Sequence, residues 1–397
     1  MCGIVGIVAE YNPFHNGHKY QIDFIKNKGA DGIVACMSGA CVQRGQFALL
    51  SKFDRAQAAL CGGVDAVLEL PVPFSIKSAE GFAKAGIETL KNAGVDGVSF
   101  GCECDDVALL SHIAEYLLTD EYSNKIKAYL AEKIPFAKAR EKALTDAIPQ
   151  CYAVLSQSNN ILAIEYLKAC RLLNWEPQII AVKRQGGAYN SDSLNNKYPS
   201  ASAIRRAVDR FDYESAKNAV PPESNNILST CLDRGKYFSE SDISYEKLML
   251  YKLRTSNVNA LLQIPECNTE IAHCIERRVY DSDSLSRFFD LMPTKRYTRA
   301  RINRILLSLL LGINNDMPCE IQYLRLLGVN KEKEYLLNHI AKSSALPVSH
   351  SVKKLSEING KCKAVVDAEA LACDIQSAFF KISGNARTDY TTKLIKK

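Results

Sequence analysis

Short apolar runs, each closed by turn residues, recur along the first half of the chain. They are Ile4-Val5-Gly6-Ile7-Val8-Ala9, Gly32 to Met37, Asp65 to Leu70, Asp96 to Phe100 and Gln178 to Lys183. Each is rich in β-branched residues and too short for a helix. The runs are near-continuously apolar rather than alternating, as strands covered on both faces should be. Between them, apolar positions three and four apart predict helices at about Ser51–Cys61, Ile76–Asn92 and Asn160–Leu173. Gly62, Gly63 and Gly94 stand where helix ends favour a left-handed residue. Strand–helix alternation of this kind predicts an α/β fold with a doubly wound parallel sheet. Its ligand should lie at the carboxyl ends of the strands.

The pattern changes twice. Residues of about 105–150 read as helices without chemical signature, an insertion in a first domain of 1–211. Residues 212–315 read as mostly helical, and 316–397 as a small α/β C-terminal appendage with a β-like run at Ile321–Val329. In the helical part, Ile302, Ile305, Leu306, Leu309 and Leu310 follow helical spacing and should face a core. Arg301 and Arg304 then share another face, and Lys295, Arg296 and Arg299 precede them around Tyr297. Arginines for phosphates and an aromatic ring for stacking would suit a single-stranded RNA loop. A solvated helix face reads equally well from these residues.

The densest chemistry follows the first strand. Tyr11-Asn12-Pro13 breaks the apolar run, and His15-Asn16-Gly17-His18 opens a helix. A helix start leaves backbone N–H groups unpaired and attracts phosphate. Two imidazoles three residues apart in its first turn can face one way and donate to one phosphate. Such donors stabilise the charge that develops when pyrophosphate is displaced. Gly17, lacking Cβ, lets a nucleotide approach the backbone. His15 and His18 are therefore the candidate catalytic residues. The competing readings are plain helix-start polar residues, or half of a zinc site for which no second ligand pair appears nearby.

The same logic collects residues just past other strand ends: Ser38, then Gln43 and Arg44, then Gly101, then Arg184 and Gln185. Pro199-Ser200-Ala201-Ser202-Ala203-Ile204-Arg205 opens another helix, where Ser202 and Arg205 would form a second phosphate cradle. Plain capping is the alternative.

Composition changes this picture little. Of 397 residues, 47% are hydrophobic and 24% charged, and the net charge of +6 permits an RNA partner without demanding one. No apolar run reaches membrane-spanning length. The 14 cysteines form no CxxC pair, which suits a reducing, cytoplasmic setting. Met1-Cys2-Gly3 resembles the start of class II glutamine amidotransferases, but only for a few residues.

HNGH fits the HxGH signature of the nucleotidyltransferase superfamily. The longer string AEYNPFHNGH, from Ala9 to His18, resembles the bacterial tRNA(Met) cytidine acetate ligases. The likeness continues in MSGACVQRG, VDAVLELP, FGCE, SNNILAIEYLKA, the SASAIR stretch and TKRYTRARINRILL. It departs at Ala40-Cys41 and Gln46-Phe47, where the family usually has Asn-Phe and Glu-Pro. The resemblance implies a nucleotidyltransferase-like Rossmann domain and an ATP-dependent ligase. Such an enzyme activates acetate as acetyl-adenylate, releases pyrophosphate and acetylates N4 of the wobble cytidine of elongator tRNA(Met). It implies ATP contacts at Ile7, Val8, Ala9, Glu10, Tyr11, Asn12, Pro13, Phe14, His15, Asn16, Gly17, His18, Lys19, Tyr20, Gly101, Asn160 and Arg184, with Gln185 in addition. Mg²⁺ would come with ATP and need no dedicated protein site. The expected partners are acetate and the tRNA(Met) anticodon loop, met through Ser38, Gln43, Arg44, Lys295, Arg296, Arg299, Arg301 and Arg304, with no membrane and no obligatory protein partner. Two alternatives stay open on the residues alone: a small-molecule adenylyltransferase of the same superfamily, and an RNA-binding protein with a vestigial nucleotide site.

Overall fold

The structure is a computed structural model that describes residues 3–134, 136–184, 198–239, 241–293 and 296–397. Its centre is an eight-stranded sheet. In chain order the strands are β1 Ile4–Ala9, β2 Gly32–Ser38, β3 Cys41–Val42, β4 Gln46–Phe47, β5 Ala66–Leu70, β6 Gly97–Cys102, β7 Gln178–Lys183, β8 Leu324–Val329, β9 Val348–Ser349 and β10 Ile395–Lys396. The sheet order is β10-β8-β5-β2-β1-β6-β7, with β9 beside β8, while β3 and β4 pair as a separate hairpin. The pairs β5–β2–β1–β6–β7 are all parallel. The order reverses at β1, so a crevice opens between the ends of β1 and β6.

Helices cover both faces. On one side lie α1 Asn16–Asn27 and α2 Lys52–Cys61, packed on Val5, Ile7, Ile33, Ala35 and Val67. On the other lie α3 Val72–Ser75, α4 Ala79–Asn92 and the Ser158–Leu172 helix, packed on Val34, Cys36, Leu68 and Val98. Alternate strand residues thus serve opposite cores, which is why the strands read as apolar without a break. The insertion forms helices Val107–Tyr116, Asp120–Ala131 and Phe136–Thr145.

The C-terminal segment does not build a sheet of its own. β8 adds antiparallel to β5, and β10 adds parallel to β8. The Gly360–Ala378 helix then packs on α3, near the ends of β2 and β5. Residues of the helical part, including Met249, Ile271, Ile275, Phe288, Ile302 and Ile305, form a separate core.

Candidate active site

A cavity of about 380 Å³ opens at the carboxyl ends of β1, β6 and β7. Ile7, Val8, Ala9, Glu10, Tyr11, Asn12, His15, Gly17, His18 and Tyr20 line it from the first strand and α1. Gln43, Arg44, Gly101, Arg184 and Ser202 line it from later parts of the chain. Phe14 is not in the lining; it is buried beside Tyr11 and His18 and packs against Gly62. Lys19 pairs with Asp23, and the Asn16 N–H donates to the Ala219 carbonyl. Pro13 follows a cis bond to Asn12. Gln185 lies outside the described residues.

His15 is the N-cap of α1, in extended backbone conformation with φ −140°. Its Nδ1 accepts from the Gly17 N–H at 3.0 Å, and His18 Nδ1 accepts from the His15 N–H at 3.2 Å. The two histidines form a reciprocal capping box, the arrangement usually made by Ser or Thr with Glu or Gln. Their rings stack with centroids 3.7 Å apart. Gly17 has a nearer reason than ligand approach: a Cβ there would press on the His15 ring.

That geometry settles the tautomer. With both Nδ1 atoms accepting, each neutral ring carries its proton on Nε2 and is a donor there. Burial holds His15 down at about 3, with Arg184 and Arg205 adding to the effect. Burial, then His15 and Arg184, hold His18 well below the usual range. Both imidazoles are thus neutral N–H donors beside two guanidinium groups, a setting made for anionic oxygen.

Asn12 anchors the turn. Its Oδ1 accepts from the Leu49 N–H at 2.7 Å, and its carbonyl accepts from Arg205 Nη1 at 2.8 Å. Tyr11 turns in the left-handed region with φ 47° and lays its ring edge-on to His18, with centroids 4.9 Å apart. Ser200 caps the Ala201–Asp209 helix by accepting from the Ala203 N–H. This leaves Ser202 on the cavity wall, with its Oγ accepting from Arg205 Nη2 at 3.4 Å. Arg44 and Ser202 also line an adjoining cavity of about 260 Å³, together with Arg206, Arg299 and Arg205, which is not in the lining of the first.

Asn160 does a job the sequence did not suggest. Its buried Oδ1 accepts from the Glu103 and Cys104 N–H groups at 2.8 and 2.9 Å, and its Nδ2 donates to the Val154 carbonyl. It ties the loop after β6 to the Ser158–Leu172 helix, whose Asn159, Ile161 and Leu162 line the cavity.

Sequence reasoning missed Arg55. It is fully buried, and its Nη1 donates to the Glu10 and Ser38 carbonyls at 2.7 and 3.0 Å. It also donates to the carbonyls of Gly39 and Leu50. One side chain therefore holds the chain ends of β1 and β2 together. Burial lowers it to about 10, against the pull of Glu369 and Glu10. Ser38, expected to meet substrate, is fully buried beneath this loop and is not in the cavity lining.

Behind Arg55 lies a buried ionic cluster. Lys52 meets Glu69 at 2.5 Å, Glu369 at 3.0 Å and Asp389 at 2.6 Å. Arg325 meets Glu69 and Asp389 at 3.2 and 2.8 Å. Glu369 also accepts from the Ala40 and Val72 N–H groups at 2.8 and 2.7 Å. Burial alone would lower Lys52, yet it stands above its ordinary range because Asp389 and Glu369 face it. The signal was present in the sequence. Glu69 and Arg325 are lone charges inside apolar strands, and a charge so placed needs a partner.

The basic patch is smaller than its sequence suggested. Arg301 donates through Nε and Nη2 to the Glu266 carbonyl at 3.1 and 2.7 Å. Arg304 pairs with the Glu266 carboxylate at 2.5 Å, its side chain only 11% exposed. Tyr297 is buried in the helical core and donates to Glu270, so it offers no stacking face. Arg296 pairs with the same Glu270 but remains exposed, and Arg299 lies exposed over the Phe289 ring. Lys295 lies outside the described residues.

Known proteins share this architecture. A family model describing the HIGH nucleotidyl transferases matches residues 2–391. A tRNA(Met) cytidine acetate ligase of Thermoanaerobacter sp. is 36% identical over 99% of this chain and 100% of its own length. One of Clostridium perfringens is 35% identical over 98% of each chain. A crystal structure of Thermotoga maritima TmcAL bound with alpha-thio ATP superposes with a TM-score of 0.90 at 27% identity, covering 99% of this chain and 100% of that one. Its apo form gives 0.93 over the same shares.

Proposed function

The chain belongs to the HIGH nucleotidyl transferase family, and within it to the tRNA(Met) cytidine acetate ligases; from that premise we propose that it uses ATP to acetylate N4 of the wobble cytidine of elongator tRNA(Met). The observation that carries the reading is the pair of neutral, Nε2-protonated histidines opening α1 beside Arg184 and Arg205. An acetate oxygen attacks the α-phosphate of ATP, and pyrophosphate leaves. Charge grows on the phosphate oxygens as it does so, and His15 and His18 donate to them without needing to reorganise. Arg184 sits on the nucleotide side, past β7, and Ser202 with Arg205 receives the departing phosphates. Burial keeps both rings neutral, so their donor role does not depend on a proton being gained near neutrality.

Mg²⁺ would enter on the phosphates of ATP and neutralise their charge. Among the described residues no group of three or more His, Cys, Asp or Glu side chains is placed to hold a metal ion. The adenosine then lies over β6 and β7, against Gly101 and Arg184. The acyl end points toward Glu10, Gln43 and Arg44. The wobble cytidine enters from the same side. A base in a single-stranded anticodon loop reaches such a site at lower cost than one flipped from a duplex. Residues 212–315 supply a platform for that loop through Arg299 and Arg296, in a cytoplasmic enzyme.

Purified protein should catalyse acetate-dependent exchange of pyrophosphate into ATP. With acetate, ATP and tRNA(Met), nucleoside mass spectrometry should detect N4-acetylcytidine. Exchange without acetylated RNA would favour a small-molecule adenylyltransferase, and folded protein lacking both activities would defeat the reading altogether.

A further inference from the structure

We propose that Glu10 takes the proton from the cytidine amine, an inference that rests on the acetyl-transfer reading and deepens it. The N4 lone pair is spread into the pyrimidine ring, so the amine is a weak nucleophile. Its attack on the acyl carbon forms the N–C bond. The C–O bond to the adenylate breaks, and AMP leaves with that electron pair on a phosphate oxygen. The amide is neutral only if N4 gives up one proton, and a base at the acyl end must receive it.

The cavity offers few candidates. The histidines have Nδ1 occupied by backbone N–H groups and present Nε2–H, a donor. Glu10 is the only carboxylate among the described lining residues. It stands one residue past β1, and its Oε1 accepts from the Gln43 N–H at 2.9 Å. That bond holds the carboxylate beside the loop that follows β2. Its Oε2 has no hydrogen-bond partner among the described residues. The Arg55 bond to the Glu10 carbonyl fixes the backbone beneath it. The Phe100 and Tyr166 rings, with centroids 6.0 Å apart, form an aromatic wall of the same cavity. A flat base has an apolar wall beside it and an acceptor for its exocyclic amine. Cytosine presents an N4–H₂ donor to that acceptor, whereas uracil presents an O4 acceptor and is repelled. The same carboxylate thus selects the base and receives its proton.

The test separates the two half-reactions. Wild-type, Glu10→Gln and Glu10→Asp proteins are charged with ATP and acetate, then mixed with saturating tRNA(Met) over a range of pH. We expect Glu10→Gln, whose amide oxygen can still accept from Gln43, to lose about 10²–10⁴ in the single-turnover acetyl-transfer rate. Its loss in acetate-dependent pyrophosphate exchange should be at least tenfold smaller. Glu10→Asp should restore part of the transfer rate. Equal losses in the two half-reactions would overturn the inference and make Glu10 a nucleotide or loop contact. Unimpaired transfer by Glu10→Gln would overturn it as well. A wild-type protein that forms acetyl-adenylate but no acetylcytidine would defeat the acetyl-transfer reading itself, a result distinct from either.

Discussion

His15 carries two jobs that a substitution can separate. It caps α1 through Nδ1 and presents Nε2–H to the cavity. Asn is also a good N-cap but reaches less far. His15→Asn should therefore keep the thermal midpoint close to wild type while losing about 10²–10³ of the adenylation rate, the usual cost of one preorganised donor. His15→Ala should lose both, the cap being worth about 1 kcal/mol. Its titration is a second check. The unfolded chain protonates this ring near 6.5 and the folded protein only near about 3. Between those values the unfolded state binds more protons, so stability falls as pH drops through the window and gains nothing from His15 above it. Nitrogen-15 spectra of the nucleotide-free protein should show a neutral, Nε2–H ring at pH 5, and an imidazolium there would refute the assignment.

At the scale of elements, the strands were legible and their final assembly was not. β1 and β7 carry the bounds expected from their apolar runs; β1 is covered on both faces, while β7, at the sheet edge, buries Ile180 and Val182 and half-buries Ile179 and Ala181. Residues 321–329 also read as a strand. Nothing local told that β8 would join β5 across more than half the chain, so an appendage was the natural expectation. Likewise the HNGH turn announced its histidines, whereas Arg55 and Glu369 act through carbonyls and N–H groups that sequence does not display. The ionic cluster gives the C-terminal helix its measurable role. Glu369→Ala would remove one of the three carboxylates around Lys52, which keeps Glu69 and Asp389, and leave the buried Ala40 and Val72 N–H groups without this acceptor. We expect a loss of about 2–4 kcal/mol by urea denaturation, mainly from the two unsatisfied N–H groups. Lys363→Ala, which removes an exposed pair with Asp367 on the same helix, should leave the denaturation midpoint in place.

For the whole molecule, the question is which arginines meet RNA. Arg299 and Arg44 line the second cavity, which shares Arg44 and Ser202 with the first. A strand whose wobble base occupies the first cavity must lead its neighbouring phosphates across that wall. Arg304 instead braces Glu266, whose own carboxylate accepts from the Ser78 N–H at the start of α4. Arg299→Ala and Arg44→Ala should each raise the Kd for tRNA(Met) and reduce the slope of log K against log salt by about one for each phosphate left without its arginine. Arg304→Ala should lower the thermal midpoint, and its effect on RNA affinity should disappear when binding is compared at temperatures equally far below each midpoint. Removing both partners, Arg304→Ala with Glu266→Ala, should cost less than the sum of the two single changes, since neither charge is then left alone. If Arg304→Ala instead reduces the salt slope while the fold holds, the Glu266 pair opens on binding. The RNA path would then extend into the second turn of the Arg299–Leu311 helix.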